Sequence, residues 1–211
     1  MNEFQVRIRP GDETAARLLT ELSARAEVTP LTRGTGSALV LGGARSGKSS
    51  WAEAQLLDRD AVDYVATSEV PVDDPEWQHR VALHRERRPA SWRTIETMDL
   101  EGVLRTRDPR PVLVDCLAVW LARVLDEVGA WDASDESWRD PLRTRIEALA
   151  HAVAESRREV ILVSNEVGMG VVPATASGRL YRDELGRLNA AVAAAADETW
   201  FCIAGIARRL S

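Results

Sequence analysis

A three-layer α/β/α domain around a mostly parallel sheet is the fold class this sequence predicts, and three observations predict it. From Ala38 onward, short apolar runs alternate with amphipathic helical stretches, the pattern of a parallel sheet covered on both faces. One run, Ala38-Leu39-Val40-Leu41, leads straight into a glycine-rich loop and then a helix-forming segment. Composition agrees: 45% apolar and 28% charged residues over 211 positions suit one globular domain with a substantial core.

Strands are expected near Ala38 to Leu41, Val62 to Ala66, Trp92 to Ile95, Val112 to Asp115, Val160 to Ser164 and Thr199 to Ile203. Helices are expected over Lys48 to Leu57, Asp74 to Arg87, Asp99 to Thr106, Leu117 to Val128, Glu136 to Ser156 and Ser177 to Ala196. The run Ala190 to Ala196 offers a thin apolar face suited to packing on a sheet. Residues 1–36 read as an N-terminal extension and linker, with Phe4 to Arg9 alternating like a strand, Asp12 to Ala26 patterned as a helix, and Arg33-Gly34-Thr35-Gly36-Ser37 as the connection. Residues 37–211 form the main domain. No internal repeat is visible.

Net charge is −6, which argues against a general nucleic-acid binder and directs the search for basic sites to local segments. Cys116 and Cys202 sit in apolar runs and read as buried thiols rather than as a disulfide framework. The first 30 residues are charged and carry no apolar leader pattern, and no apolar stretch reaches bilayer length, so the expectation is a cytoplasmic protein without a membrane span.

The loop Gly42-Gly43-Ala44-Arg45-Ser46-Gly47-Lys48-Ser49 matches G-x-x-x-x-G-K-[ST] in full, after a strand and before a helix, which makes the domain P-loop NTPase-like. Each part has a physical task. Glycines let the backbone curl its N–H groups toward phosphate, the helix N-terminus adds positive potential, and Lys48 neutralises the β/γ oxygens. Ser49 is the candidate Mg²⁺ ligand. A second metal carboxylate is expected from a neighbouring strand end, and Asp115 closes the run Val112-Leu113-Val114; its alternative reading is a cap for the helix beginning at Leu117.

The segment His79 to Arg88 concentrates positive charge in an acidic protein. On a helix, His84 would share a face with Arg80 and Arg88 at spacing four and with Arg87 at spacing three. Guanidinium neighbours disfavour the imidazolium and keep a lone pair available, the state a nucleophile needs, and they attract a triphosphate. A half-buried histidine beside a solvated charge run is the plainer alternative.

Taken together, the P-loop, Ala66-Thr67-Ser68, Arg80 followed by His84, the run Arg88 to Glu96 and the loop Asn165-Glu166-Val167-Gly168-Met169-Gly170-Val171-Val172-Pro173 resemble one family. It is the bifunctional adenosylcobinamide kinase / adenosylcobinamide-phosphate guanylyltransferase family of cobalamin biosynthesis. The resemblance runs from about residue 38 to 206, through Tyr181-Arg182-Asp183 and Gly186-Arg187-Leu188-Asn189. It implies two activities: phosphorylation of the aminopropanol hydroxyl of adenosylcobinamide with ATP or GTP, then transfer of GMP from GTP through a covalent guanylyl-histidine, a role carried onto His84. It also implies Mg²⁺, a homotrimer with sites near subunit boundaries, and Arg80, Arg88 and Glu96 as nucleotide-binding residues beside Gly42 to Ser49. Lys48 and Asp115 join His84 as catalytic candidates. Glu166, Gly168 and Gly170 belong to a loop expected to border substrate or metal, the alternative being a glycine-rich turn with a solvated acid. Two features depart from the family pattern: Ala190 follows Asn189 where members often carry glutamine, and residues 1–36 precede the usual start. A P-loop kinase for another metabolite without guanylyl transfer would leave the His84 cluster unused. A RecA-like ATPase would call for nucleic-acid or protein partners that the acidic balance does not favour.

Overall fold

A computed structural model describes residues 36–67 and 88–211. Seven strands form one sheet: β1 (Ser37–Gly42), β2 (Asp63–Ala66), β3 (Arg93–Glu96), β4 (Val112–Asp115), β5 (Val160–Asn165), β6 (Glu198–Ile203) and β7 (Ile206–Arg209). Their order is β3-β2-β4-β5-β1-β6-β7, and every neighbouring pair is parallel except β6 with β7. Among the described residues the helices are α1 (Lys48–Gln55), α2 (Leu100–Arg105), α3 (Leu117–Glu127), α4 (Arg139–Glu155) and α5 (Ala176–Ala195). None is long and apolar enough to cross a membrane.

The central strands are apolar on both faces because both faces are covered. Alternation along β4 sends Val112 and Val114 into one core and Leu113 into the other. The larger core lies under α2 to α5, with Trp120, Leu121, Leu149, Leu185 and Leu188 packed over Leu39, Val114 and Leu162. The smaller lies on the α1 face, where Ala52 and Leu56 meet Val40, Tyr64, Leu113 and Val163. Each side chain fully withdrawn from water here stabilises the fold by about 1.5–3 kcal/mol. Helix spacing explains the fit: Leu117, Leu121, Val124 and Leu125 line one face of α3, and Leu142, Ile146, Leu149 and Val153 one face of α4. Caps set the starts of two others, Asp99 accepting from the Gly102 amide at 2.8 Å and Thr175 from the Gly178 amide at 3.1 Å.

Six strands and five helices stand close to their expected positions, while the helix expected over residues 74–87 and the extension 1–35 lie outside the described residues. Helix α4 starts at Arg139 rather than Glu136: a turn precedes it, the Arg139 amide donating to the Glu136 carbonyl at 3.0 Å, and Trp138 packs into the larger core. Strand β7 was not expected from the sequence. Its residues Ile206-Ala207-Arg208-Arg209 are largely exposed and pair only at the sheet edge, so they lack the buried apolar run that marks the other strands. The reading of both cysteines as buried strand residues needs correction at Cys116, which is partly exposed and sits at the N-cap of α3; Cys202 is buried on β6, and both are free thiols.

Candidate functional site

The glycine-rich loop leaves β1 at the carboxyl edge of the sheet and enters α1 at Lys48. Arg45 at φ 57° and Gly47 at φ 90° both take the left-handed backbone conformation, which curls the intervening amides toward one side. Two neighbours hold the loop. The Glu166 amide, leaving β5, donates to the Gly42 carbonyl at 3.0 Å, and the Gly205 amide donates to the Ser46 carbonyl at 2.8 Å. Gly205 belongs to the two-residue turn between β6 and β7, where Ala204 and Gly205 have φ 50° and 80°, the geometry of a hairpin turn matched to strand twist. This contact is why position 47 has to be glycine: a Cβ on Gly47 would lie 2.9 Å from the Gly205 Cα, besides its positive φ. A Cβ on Gly42 would stand 2.7 Å from the Cys202 carbonyl oxygen.

Within this frame the Lys48 side chain is 9% exposed and its ammonium donates back across the loop to the Gly43 carbonyl at 3.3 Å. It is also close enough to Cys116 and Cys202 to pull against the burial that raises both thiols, Cys116 to about 11. The Ser46 hydroxyl is buried with no hydrogen-bond partner among the described residues. A buried hydroxyl left unsatisfied costs about 1–3 kcal/mol, which an acceptor oxygen in the loop would offset. No acidic side chain occupies the first turn of α1. Loop amides, a lysine, an unsatisfied hydroxyl and a helix N-terminus converge on a place suited to phosphate.

Asp115 ends β4, and parity with Leu113 puts it on the α1 face. It is not the cap of α3: the N-cap is Cys116, with no side-chain capping bond. It does accept from the Tyr64 hydroxyl at 3.1 Å. The expectation of a neighbouring strand is corrected, because β5 lies between β4 and β1. Asp115 is therefore about 10 Å to the side of the P-loop strand, two strand spacings away. Its register level is that of Val163 and Val40, two residues before Gly42. The carboxylate that leaves the strand next to β1 is Glu166, which turns back on its own loop and accepts from the Gly168 amide. Gly170 is exposed in the same loop, and so are Met169 and Val171 at 78% and 94%.

Arg88 stacks its guanidinium over the Tyr64 ring, 3.6 Å from the centroid. Glu96 is exposed at the end of β3, with β2, β4 and β5 between it and β1, or about 19 Å of sheet. It cannot touch the same phosphate as Lys48. Arg80 and His84 lie outside the described residues.

Several contributors were not singled out as site residues. Gly205 buttresses the loop. Asn189 is buried, donates to the Asn165 carbonyl at 3.0 Å and accepts from the Ser164 hydroxyl at 2.6 Å, which pins the exit of β5. Thr67 donates to the Cys116 carbonyl at 2.8 Å and ties the exit of β2 to the start of α3. Thr67 and Asn189 fall within segments that carry the family resemblance, Ala66-Thr67-Ser68 and Gly186 to Asn189, whereas Gly205 had only a two-residue turn ending in glycine as its signal.

Sheet, loop and helix together define a P-loop nucleotide-binding α/β domain. The family model described as cobinamide kinase / cobinamide phosphate guanyltransferase (CobU) matches residues 38–210. The chain is 40% identical over 176 residues to the bifunctional adenosylcobalamin biosynthesis protein CobU of Salmonella typhimurium (strain LT2) and 39% identical over 176 residues to CobU of Escherichia coli (strain K12). Each match covers 80% of this chain and 96% of the relative. It is 42% identical over 172 residues to the bifunctional adenosylcobalamin biosynthesis protein CobP of Pseudomonas aeruginosa, covering 80% of this chain and 93% of that protein. The chain belongs to the cobinamide kinase / cobinamide phosphate guanyltransferase family.

Proposed function

We propose that this chain phosphorylates the aminopropanol hydroxyl of adenosylcobinamide and then transfers GMP from GTP to that phosphate, giving adenosylcobinamide-GDP. The observation that carries the reading is the phosphate loop itself, held between the β5 exit and the β6–β7 turn, in a chain that matches the family from residue 38 to 210. In the kinase step the substrate oxygen attacks the γ-phosphorus, the bond to the bridging oxygen breaks, and the nucleoside diphosphate leaves. Lys48 and the loop amides hold the β- and γ-phosphates and stabilise the charge that develops there. In the transfer step a nitrogen of His84 attacks the α-phosphorus of GTP and pyrophosphate leaves. An oxygen of the substrate phosphate then attacks the same phosphorus and releases the histidine.

The residues fit Mg²⁺: a Ser49 hydroxyl at the start of α1 and an Asp115 carboxylate on the same face are oxygen donors, and this ion takes few protein ligands beside water and phosphate. Ser49 and Asp115 would hold it. When bound, the ion neutralises the charge that builds on the phosphate oxygens. Arg88 and Glu96 lie toward the β2–β3 side of the sheet, where the nucleoside end of a ligand or the second substrate would extend. Glu166 stays with the β5 exit, where its loop borders the acceptor. The assembly we propose is a cytoplasmic homotrimer, with the exposed Met169 and Val171 as apolar surface that a subunit boundary would cover.

Intact-protein mass spectrometry after incubation with GTP and Mg²⁺ tests this reading. An acid-labile GMP adduct is expected in the wild type and not in His84→Ala, which should still phosphorylate adenosylcobinamide. A folded His84→Ala protein that loses both activities, or a wild type that binds GTP and never forms the adduct, would overturn the assignment.

A further inference from the structure

The side chain of Tyr64 touches two of the groups assigned to ligand binding, Asp115 at its hydroxyl and Arg88 on its ring face. Tyr64 pairs with Leu113 across the β2–β4 ladder, so Asp115 is its diagonal neighbour on the same face, within reach of a long side chain. The ring is buried, with 6% exposure, in the core beneath α1. Its hydroxyl donates to Asp115 Oδ2 at 3.1 Å, and its face receives the Arg88 guanidinium at 3.6 Å. Arg88 in turn donates from Nη1 to Thr94 Oγ1 at 3.4 Å, so the stack is steadied from β3. A carboxylate with one oxygen engaged by a buried, fixed donor loses its freedom to rotate.

We infer that Tyr64 is a positioning residue with two separable tasks: its hydroxyl sets the rotation of the Asp115 carboxylate, and its ring seats the Arg88 guanidinium. The inference rests on Asp115 as the metal carboxylate and Arg88 as a nucleotide-binding residue. Nothing at the motif level separates Tyr64 from any other aromatic core residue on a strand. Its task follows from what meets its two ends.

The two tasks come apart by substitution. Tyr64→Phe keeps a ring on which a guanidinium can stack and removes the donor. It should weaken Mg²⁺ binding to the nucleotide-bound protein by about tenfold, the worth of one hydrogen bond, as read by titration calorimetry, raise the Mg²⁺ concentration for half-maximal kinase rate to match, and leave the KM for nucleotide unchanged. Tyr64→Leu removes both ends and should raise the nucleotide KM as well. Arg88→Ala, on a partly exposed side chain, should raise the nucleotide KM without moving the Mg²⁺ response, and it keeps the ring task testable if a Tyr64 variant is unstable. The decisive comparison is Asp115→Asn with the double variant Tyr64→Phe/Asp115→Asn. If Tyr64 acts through Asp115, the double variant has the same Mg²⁺ response as Asp115→Asn alone. A wild-type Mg²⁺ response in folded Tyr64→Phe, when Asp115→Asn has shifted it, would overturn the inference and leave the metal reading standing. An unshifted Asp115→Asn would overturn both.

Discussion

The two ends of the parallel strands use similar side chains in opposite ways. At the amino ends of β2 and β3, Asp63 is fully buried and three arginines converge on it. Arg93 binds it in a two-pronged pair at 2.9 and 2.8 Å, Arg158 donates at 2.6 Å, and Arg110 stands 3.8 Å away while pairing with Asp108 at 2.6 Å. Arg158 also donates to the carbonyls of Arg110 and Val103 and to the Thr106 hydroxyl. At the carboxyl ends of β1, β4 and β5, Lys48 donates back to its own loop, the Ser46 hydroxyl is buried without a partner among the described residues, and the loop after β5 exposes apolar side chains. A charge network closed on itself is scaffolding, whereas one left open at a helix N-terminus is completed by a ligand.

Breaking the open end should cost rate and leave stability nearly intact. Lys48→Ala is expected to lower kcat of the kinase step by about 10²–10³-fold, the effect of removing one preorganised donor to a developing charge, with the fold retained by circular dichroism. A normal rate would remove the lysine from the phosphate site. Breaking the closed end should do the reverse. Asp63→Asn leaves Arg158, whose side chain is 2% exposed, facing a neutral partner. The loss should be about 3–5 kcal/mol, or a fall of roughly 10 °C in Tm, with the KM values of the folded fraction unchanged. If Tm held while nucleotide KM rose, the arginine cluster would be a binding site and the contrast between the ends would fail.

The smallest effect sharpens the boundary between them. Tyr181 donates to the Ala118 carbonyl at 2.9 Å, and burial, with a smaller contribution from Cys116, raises its phenol from 10.0 to about 12. Because the folded value is the higher one, this stabilisation is fully present below pH 10 and is lost as pH rises through 12. Tyr181→Phe should cost about 1 kcal/mol at neutral pH. Its Tm should then fall less steeply than that of the wild type between pH 10 and 12, and parallel curves would remove Tyr181 from the alkaline transition.

Most of the site that can be described was legible as short motifs. Gly42 to Ser49 carry their own chemistry in consecutive residues, and one of the two left-handed positions they need is coded by Gly47, the other falling on Arg45. Asp115 was legible as an acid ending an apolar run, but its distance from the loop was not, since that depends on β5 inserting between β4 and β1. Tyr64, Asn189 and Gly205 were not legible as site elements, because each acts through a partner far away in sequence: 51 positions for Tyr64 with Asp115, and 24 for Asn189 with Asn165.

By itself, then, the sequence determined the α/β class, the phosphate loop and the family, because periodicity and motif spacing are local properties written in adjacent residues. Only the tertiary structure decided strand order, the antiparallel β7 with its turn against the loop, and the pairing of Tyr64 with Asp115 and Arg88. Those depend on which apolar faces find one another when the sheet closes, and an alternating pattern of two says which side of a strand is buried but not which strand lies beside it.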